Sequence, residues 1–243
     1  NALLYSTVSA ATLSPDLRPA ASDLARPLRL FASIGEREAG VVAVTPLKDL
    51  EGPIEFAVTD LKGAGGAALP ASAVDIRYIR YGEYPVAGGY VVRPHFLVPW
   101  RPDRMEAGVT RGFWVDVHVP DDAKPGFYDG ALTLRSGEAE ETLPLVVRVF
   151  PLRLPVARLY AGVYAGDLRS TVFRHVSYFG KLPADRVAQV NRTRMEFYAA
   201  QGFTGLFDSL PWYPFEIHDD KVVPTAAWNT YLETFRIAKS IPG

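Results

Sequence analysis

Apolar and polar residues alternate along most of the first 150 positions, and a period of two is the mark of half-buried β-strands. Leu28, Leu30, Ala32 and Ile34 share one side of a predicted strand. The charged turn Gly35-Glu36-Arg37-Glu38 separates it from a second strand over residues 40–45. Ile54, Phe56 and Val58 alternate with Glu55, Ala57 and Thr59 in a third. A Gly/Ala-rich loop over 62–69 follows, then strands over 74–81 and 90–98, the latter broken by Pro94. Ahead of these, residues up to Arg26 are rich in Ala, Ser and Pro and predict an extended arm with one short strand at 2–8.

The clearest block is 111–150. Phe113, Val115, Val117 and Val119 alternate with Trp114, Asp116 and His118. Lys124-Pro125-Gly126-Phe127 has the chemistry of a type II turn, with Pro125 presetting φ and Gly126 taking positive φ. The chain returns through 127–135, turns near Ser136-Gly137, and continues with Leu143, Leu145, Val147 and Val149 on one side. The expectation is a three-stranded antiparallel meander inside a β-sandwich.

After Pro151-Leu152-Arg153-Leu154-Pro155 the period changes. An apolar strand over 159–165 precedes a helix opened by Pro183, with Val187, Val190, Phe197 and Ala200 at helical spacing and Gly202 as its C-terminal cap. A strand at 203–207 follows, then a helix opened by Pro224 with Trp228, Leu232 and Phe235 along one stripe. The fold class expected is mainly β: an antiparallel β-sandwich, residues 1–152 with the N-terminal arm, then a partial βαβα segment, 158–243, like the start of a TIM barrel.

Composition narrows the function classes. The 243 residues are 48% hydrophobic and 22% charged with a formal net charge of -1, which gives no electrostatic footprint for nucleic acid. No uncharged apolar run reaches the ~20 residues a bilayer span needs. No leader precedes Asn1, which a processed start would also show. There are no cysteines, hence no disulfide and no thiolate metal site. The four histidines lack helical i, i+4 spacing, and no phosphate loop or Gly-x-Ser-x-Gly elbow is present, so no metal, cofactor or catalytic residue is assigned.

The order Phe113-Trp114-Val115-Asp116-Val117-His118-Val119-Pro120, then Lys124-Pro125-Gly126-Phe127-Tyr128-Asp129-Gly130, resembles the N-terminal β-sandwich of bacterial proteins related to glycoside hydrolase family 123. Gly35-Glu36-Arg37-Glu38 and Thr45-Pro46-Leu47-Lys48-Asp49-Leu50 fit the same domain. The resemblance covers roughly 28–152 and, more loosely, the segment after Leu159. It implies a sandwich packed against a (β/α)8 barrel in which an adjacent Asp-Glu pair assists hydrolysis through the substrate's acetamido group. This chain has no Asp-Glu dipeptide and only about 85 residues after the connector, against ~200 or more for a closed barrel. The pair is therefore carried over to no residue.

Barrel active sites lie at the C-terminal ends of the strands. That rule puts Tyr164 and Asp167 after the first strand and Asp208, Trp212 and Tyr213 after the second. Carboxylates accept hydroxyl hydrogen bonds and aromatic faces pack on pyranose rings, so these five are the expected carbohydrate-binding residues; loop packing and turn capping are the alternative roles. Asp121-Asp122 and Asp219-Asp220 are expected to serve turns rather than calcium. The Tyr/Arg-rich stretch of Arg77, Arg80 and Arg93 with Tyr78, Tyr81, Tyr84 and Tyr90 is expected at the sandwich–barrel interface, with a contact surface for another molecule as the alternative. The functional expectation is the non-catalytic front portion of a carbohydrate-active glycoside hydrolase, located extracytoplasmically (secreted or periplasmic), with 158–243 covered by the rest of a barrel or by a partner chain. The alternative is a carbohydrate-binding or structural scaffold module without enzymatic activity.

Overall fold

The computed structural model describes residues 1–7, 9–24, 26–99, 103–137, 139–155, 162–164, 184–203, 205–207 and 215–225, with 228, 229, 232, 236, 239 and 240 beyond them. Its contacts group into two compact units, Asn1–Pro155 and Val156–Gly243. In chain order the first unit has β1 (Ala2–Thr7), β2 (Leu28–Ile34), β3 (Arg37–Pro46), β4 (Leu50–Glu51), β5 (Glu55–Val58), β6 (Leu61–Gly63) and β7 (Ala68–Leu69). It continues with β8 (Val74–Val86), β9 (Gly89–Val98), β10 (Arg104–Met105), β11 (Arg111–His118), β12 (Gly126–Ser136) and β13 (Ala139–Arg153).

Eleven of these strands build two sheets around one core, and β4 pairs with β10 in a small antiparallel ladder of its own. The first runs β1-β3-β11-β8-β9, antiparallel throughout. The second runs β2-β13-β12-β6-β7, with β5 also paired to β12. Alternation decides which side chains meet. Leu4, Val42, Val44, Phe113, Val115 and Val117 come from the first sheet. Leu28, Leu30, Leu132, Leu134, Leu145 and Val147 come from the second, and all are buried together in one cluster. The antiparallel sandwich is therefore the fold of this unit, with one parallel pair, β2 on β13, inside it.

Three expectations are corrected here. Residues 111–150 are not a meander: β11 hydrogen-bonds to β3 and β8 in one sheet, while β12 and β13 lie in the other. The connector is a crossing between sheets, so a hairpin turn at Pro125-Gly126 has no partner strand to serve. The tight turn lies earlier, where the Ala123 N–H donates to Pro120 O at 3.1 Å across Asp121 and Asp122, and Gly126 opens β12 with φ +152°. The other turn, at Gly137, joins β12 to β13 as expected, with Ser136 opposite Ala139. Second, Arg37 and Glu38 belong to β3 rather than to the turn before it, because β11 extends far enough to pair with them. Third, 62–69 is a small hairpin whose Leu61 and Leu69 are buried, not a plain loop.

The N-terminal arm does more than extend. Leu13 reaches the outer face of the first sheet and is buried with Tyr5, Val41, Ala43 and Ile79, with Trp114 and Tyr81 packed against them. Gly112 is what admits it, since a Cβ there would overlap Leu13 Cδ1. A short chain of hydroxyls pins the arm. Thr110 Oγ1 donates to Leu17 O at 2.7 Å, so Thr45 Oγ1 must donate to Thr110 at 2.7 Å and Tyr5 OH to Thr45 at 3.2 Å. Each hydroxyl has one proton, and the carbonyl at the end fixes the direction of all three bonds.

In the second unit β14 (Gly162–Tyr164) pairs in parallel with β15 (Gly205–Phe207), and the helix between them in sequence spans Ala184–Ala200. The helix ends as expected at Gly202, whose φ is +81°. Phe203 N–H donates to Tyr198 O and Gly202 N–H to Ala199 O, the paired bonds of a Schellman cap, with the Phe203 and Tyr198 rings edge to face. Its stripe differs from expectation: Met195 is buried, while Val190, Phe197 and Ala200 are exposed. Pro224 does not open a helix. It ends the second strand of a hairpin, Phe215–His218 with Lys221–Pro224, whose two central residues Asp219 and Asp220 both have positive φ. The helical positions that follow are capped by Thr225, whose Oγ1 accepts the Trp228 N–H at 3.3 Å.

Candidate functional site

The parallel pair sets the geometry at the expected sugar-facing edge. Tyr164 stands opposite Phe207, so both strands finish at the same edge of the sheet. That brings the C-terminal end of each strand to one place, the arrangement that barrels use for binding. Only the backbone of Tyr164 is described there; Asp167, Asp208, Trp212 and Tyr213 lie outside the described residues. The hairpin after β15 carries Phe215 and Ile217 on one face opposite Pro224 and Val222, and Ile217 is 75% exposed. Its other face pairs His218 with Glu216 at 3.0 Å.

In the first unit the Tyr/Arg-rich stretch becomes a long hairpin, β8–β9, that outruns its sheet. Only residues 74–79 of β8 pair with β11, and the rest has β9 alone. The register slips by one between Arg80 and Tyr81, a bulge that places His95 against Gly82 and stacks it on Phe96 at 3.6 Å. Arg80 lies over the Phe96 ring at 4.8 Å, and Tyr84 packs beside His95 at 4.8 Å. The stretch is thus a row of aromatic and cationic groups on an overhang, with Tyr90 at 73% exposure near its tip. At its base the Tyr81 hydroxyl is buried with no hydrogen-bond partner among the described residues, and burial pushes it up to about 12, with Tyr78 adding to the shift. It stays protonated at any physiological pH.

A notch that the sequence did not point to opens at the edge of β3. The described β1 register ends at Thr7 opposite Val41, so among the described residues Arg37–Gly40 pair with β11 alone. The cavity left there has a volume of about 450 Å³ and is lined by Ser6, Arg26, Arg29, Glu38, Gly40 and Trp114 among others. Glu38 stands opposite Val117, whose side chain is in the core, so its carboxyl lies on the inward face. Burial first, then the neighbouring Glu36 charge, raise that carboxyl above the usual glutamate range. Asp116, also near, is held by Arg37 at 3.1 Å. Glu38 and Trp114 are 76 positions apart and belong to opposite faces of the β3–β11 pair, Trp114 standing opposite Val41, so they meet only as walls of the cavity at the sheet edge, which spacing alone could not find.

Among the described residues no cluster of three or more His, Asp or Glu could hold a metal ion, and no helix is long and apolar enough to cross a membrane.

Comparison with known proteins gives a relationship at the level of fold. No protein-family model matches the chain, and no curated protein matches it by sequence. Among solved structures, a family 123 glycoside hydrolase from Clostridium perfringens, studied for glycolipid glycan hydrolysis, superposes with a TM-score of 0.70 at 12% identity over 88% of this chain. The chain spans 41% of that enzyme's length. The CooA pilin subunit from enterotoxigenic Escherichia coli covers 54% of the chain at 12% identity, but its TM-score of 0.27 carries no argument.

Proposed function

We propose that this chain is the non-catalytic front portion of a carbohydrate-active, glycoside hydrolase-like protein, with a sugar-facing edge at Tyr164, Asp167, Asp208, Trp212 and Tyr213. The observation that supports it is the distant structural likeness to the family 123 enzyme, which extends beyond the sandwich to cover 88% of the chain. The parallel β14–β15 pair ends both strands at one edge, as a sugar-binding barrel rim requires. Carbohydrate is the partner, and an extracytoplasmic location belongs to the same proposal. Calorimetric titration with oligosaccharides tests it: binding that is lost in Trp212→Ala is expected, with no glycosidase turnover by the chain alone. Turnover that survives Asp167→Asn and Asp208→Asn would overturn the non-catalytic reading.

A scaffold role for residues 158–243 has its own support. Val190, Phe197, Phe215, Ile217 and Val222 are all exposed, and clustered exposed apolar side chains mark interaction surfaces. The rest of a barrel or a partner chain would cover them. Self-association or dye binding abolished by Ile217→Ser with Val222→Ser is the expected outcome; a monomer that binds no apolar dye would count against cover of either kind.

A further inference from the structure

The notch at the edge of β3 is built from other residues than the sugar-facing edge proposed above, and its chemistry is mixed in a telling way. Its volume of about 450 Å³ falls in the range of small-ligand sites, enough for one or two sugar rings and short for a folded partner. Glu38 supplies an acceptor on the inward face and has no ion-pair partner among the described residues, unlike Asp116 beside it. Arg26 and Arg29 line the same space as donors. Ser9 Oγ accepts the Ala11 N–H at 3.1 Å, which leaves its proton to donate. Trp114 adds an aromatic wall that is only partly buried.

The floor is shaped by the chain itself. Gly40 has no side chain because a Cβ would come within 2.6 Å of Leu28 Cδ1 and 3.0 Å of Leu30 Cδ2. Those leucines line the notch on its core side, and Arg26, Pro27 and Arg29 form a further part of its wall. Acceptor, donors and an indole face around a short concavity match a neutral pyranose, which offers hydroxyls in its plane and C–H groups on its faces.

We propose that this notch, built by Glu38, Gly40, Arg26, Arg29, Ser9 and Trp114, is a second carbohydrate-binding site, specific for a neutral mono- or disaccharide.

The test is a ¹H–¹⁵N titration of the full chain with glucose, galactose, mannose, their 2-acetamido forms and lactose. Saturable shifts of the Ala39 and Gly40 amides and the Trp114 indole N–H are expected with at least one of them. Glu38→Gln, which keeps the shape, should weaken that binding about tenfold by replacing a charged acceptor with a neutral one. Trp212→Ala, which tests the other edge, should leave these shifts unchanged. Absence of shifts at the notch with every sugar would overturn the proposal whatever happens at the other edge. So would saturation of the same amides by an extended tetrapeptide and by no sugar, which would make the β3 edge a strand-addition site instead.

Discussion

Two long hairpins, β12–β13 and β8–β9, are built from similarly alternating sequence and meet opposite fates. In β12–β13 every inward residue from Leu132 to Val149 finds the opposing sheet, the ladder runs through eleven paired positions without a slip, and Leu132, Leu143, Leu145 and Val147 are fully buried or nearly so. In β8–β9 the alternation continues past the point where β11 stops, and among the described residues the N-terminal arm covers only its base. There the register slips at His95, and Tyr90, Val92, Phe96 and Leu97 remain exposed. An alternating pattern thus describes what a strand can bury. Whether it does so depends on the reach of its neighbours.

That contrast can be broken most sharply by truncation. Leu145→Ala in the covered hairpin should cost about 3 kcal/mol, the loss of buried methylenes plus the cavity they leave. Tyr90→Ala on the overhang should stay within about 0.5 kcal/mol. Urea denaturation of both variants is the measurement, and equal losses would show the overhang to be covered in solution. A smaller effect is expected at the base of the overhang, where the N-terminal arm provides cover. Gly112→Ala forces a methyl group into Leu13 and should cost about 1–3 kcal/mol, partly restored when Leu13→Ala is added.

Thr110→Val should cost about 1–2 kcal/mol by removing the hydroxyl that links Thr45 to the Leu17 carbonyl. Faster hydrogen exchange along residues 10–17 would distinguish release of the arm from general destabilisation. The smallest effect belongs to β3, which the arm leaves open at its free end. Burial, Glu36 and Asp116 raise the Glu38 carboxyl, so the folded chain holds that proton more tightly than the unfolded one. The stability this proton confers is fully present below the unfolded value of about 4.3 and is lost as pH rises through the raised folded value. Glu38→Gln should therefore raise the unfolding free energy slightly at pH 7, by less than about 1 kcal/mol since the site is largely solvated, and leave it unchanged near pH 3. A gain that persists at pH 3 would locate the effect outside titration.

Much of this was legible in the chain. Residue alternation marks nearly every strand of the sandwich, and the Gly202 cap follows from a glycine after a helical stretch. Asp121-Asp122 and Asp219-Asp220 serve turns, as short polar residues that tolerate positive φ or tight geometry do. The site was less legible. The expected sugar-facing residues lie almost wholly outside the described part, and the notch is made by groups from β3 and β11 that no motif connects.

The sequence by itself determined which segments are extended and which faces they offer, because a period of two is a local property of side chains on a pleated backbone. The tertiary structure decided which sheet each strand joins. β11 and β12 follow one another across a short connector yet belong to opposite sheets, and β2 lies parallel to β13 from more than 100 residues away. Backbone hydrogen bonds are alike whichever strands exchange them, so pairing is chosen only by the burial of the whole apolar set at once.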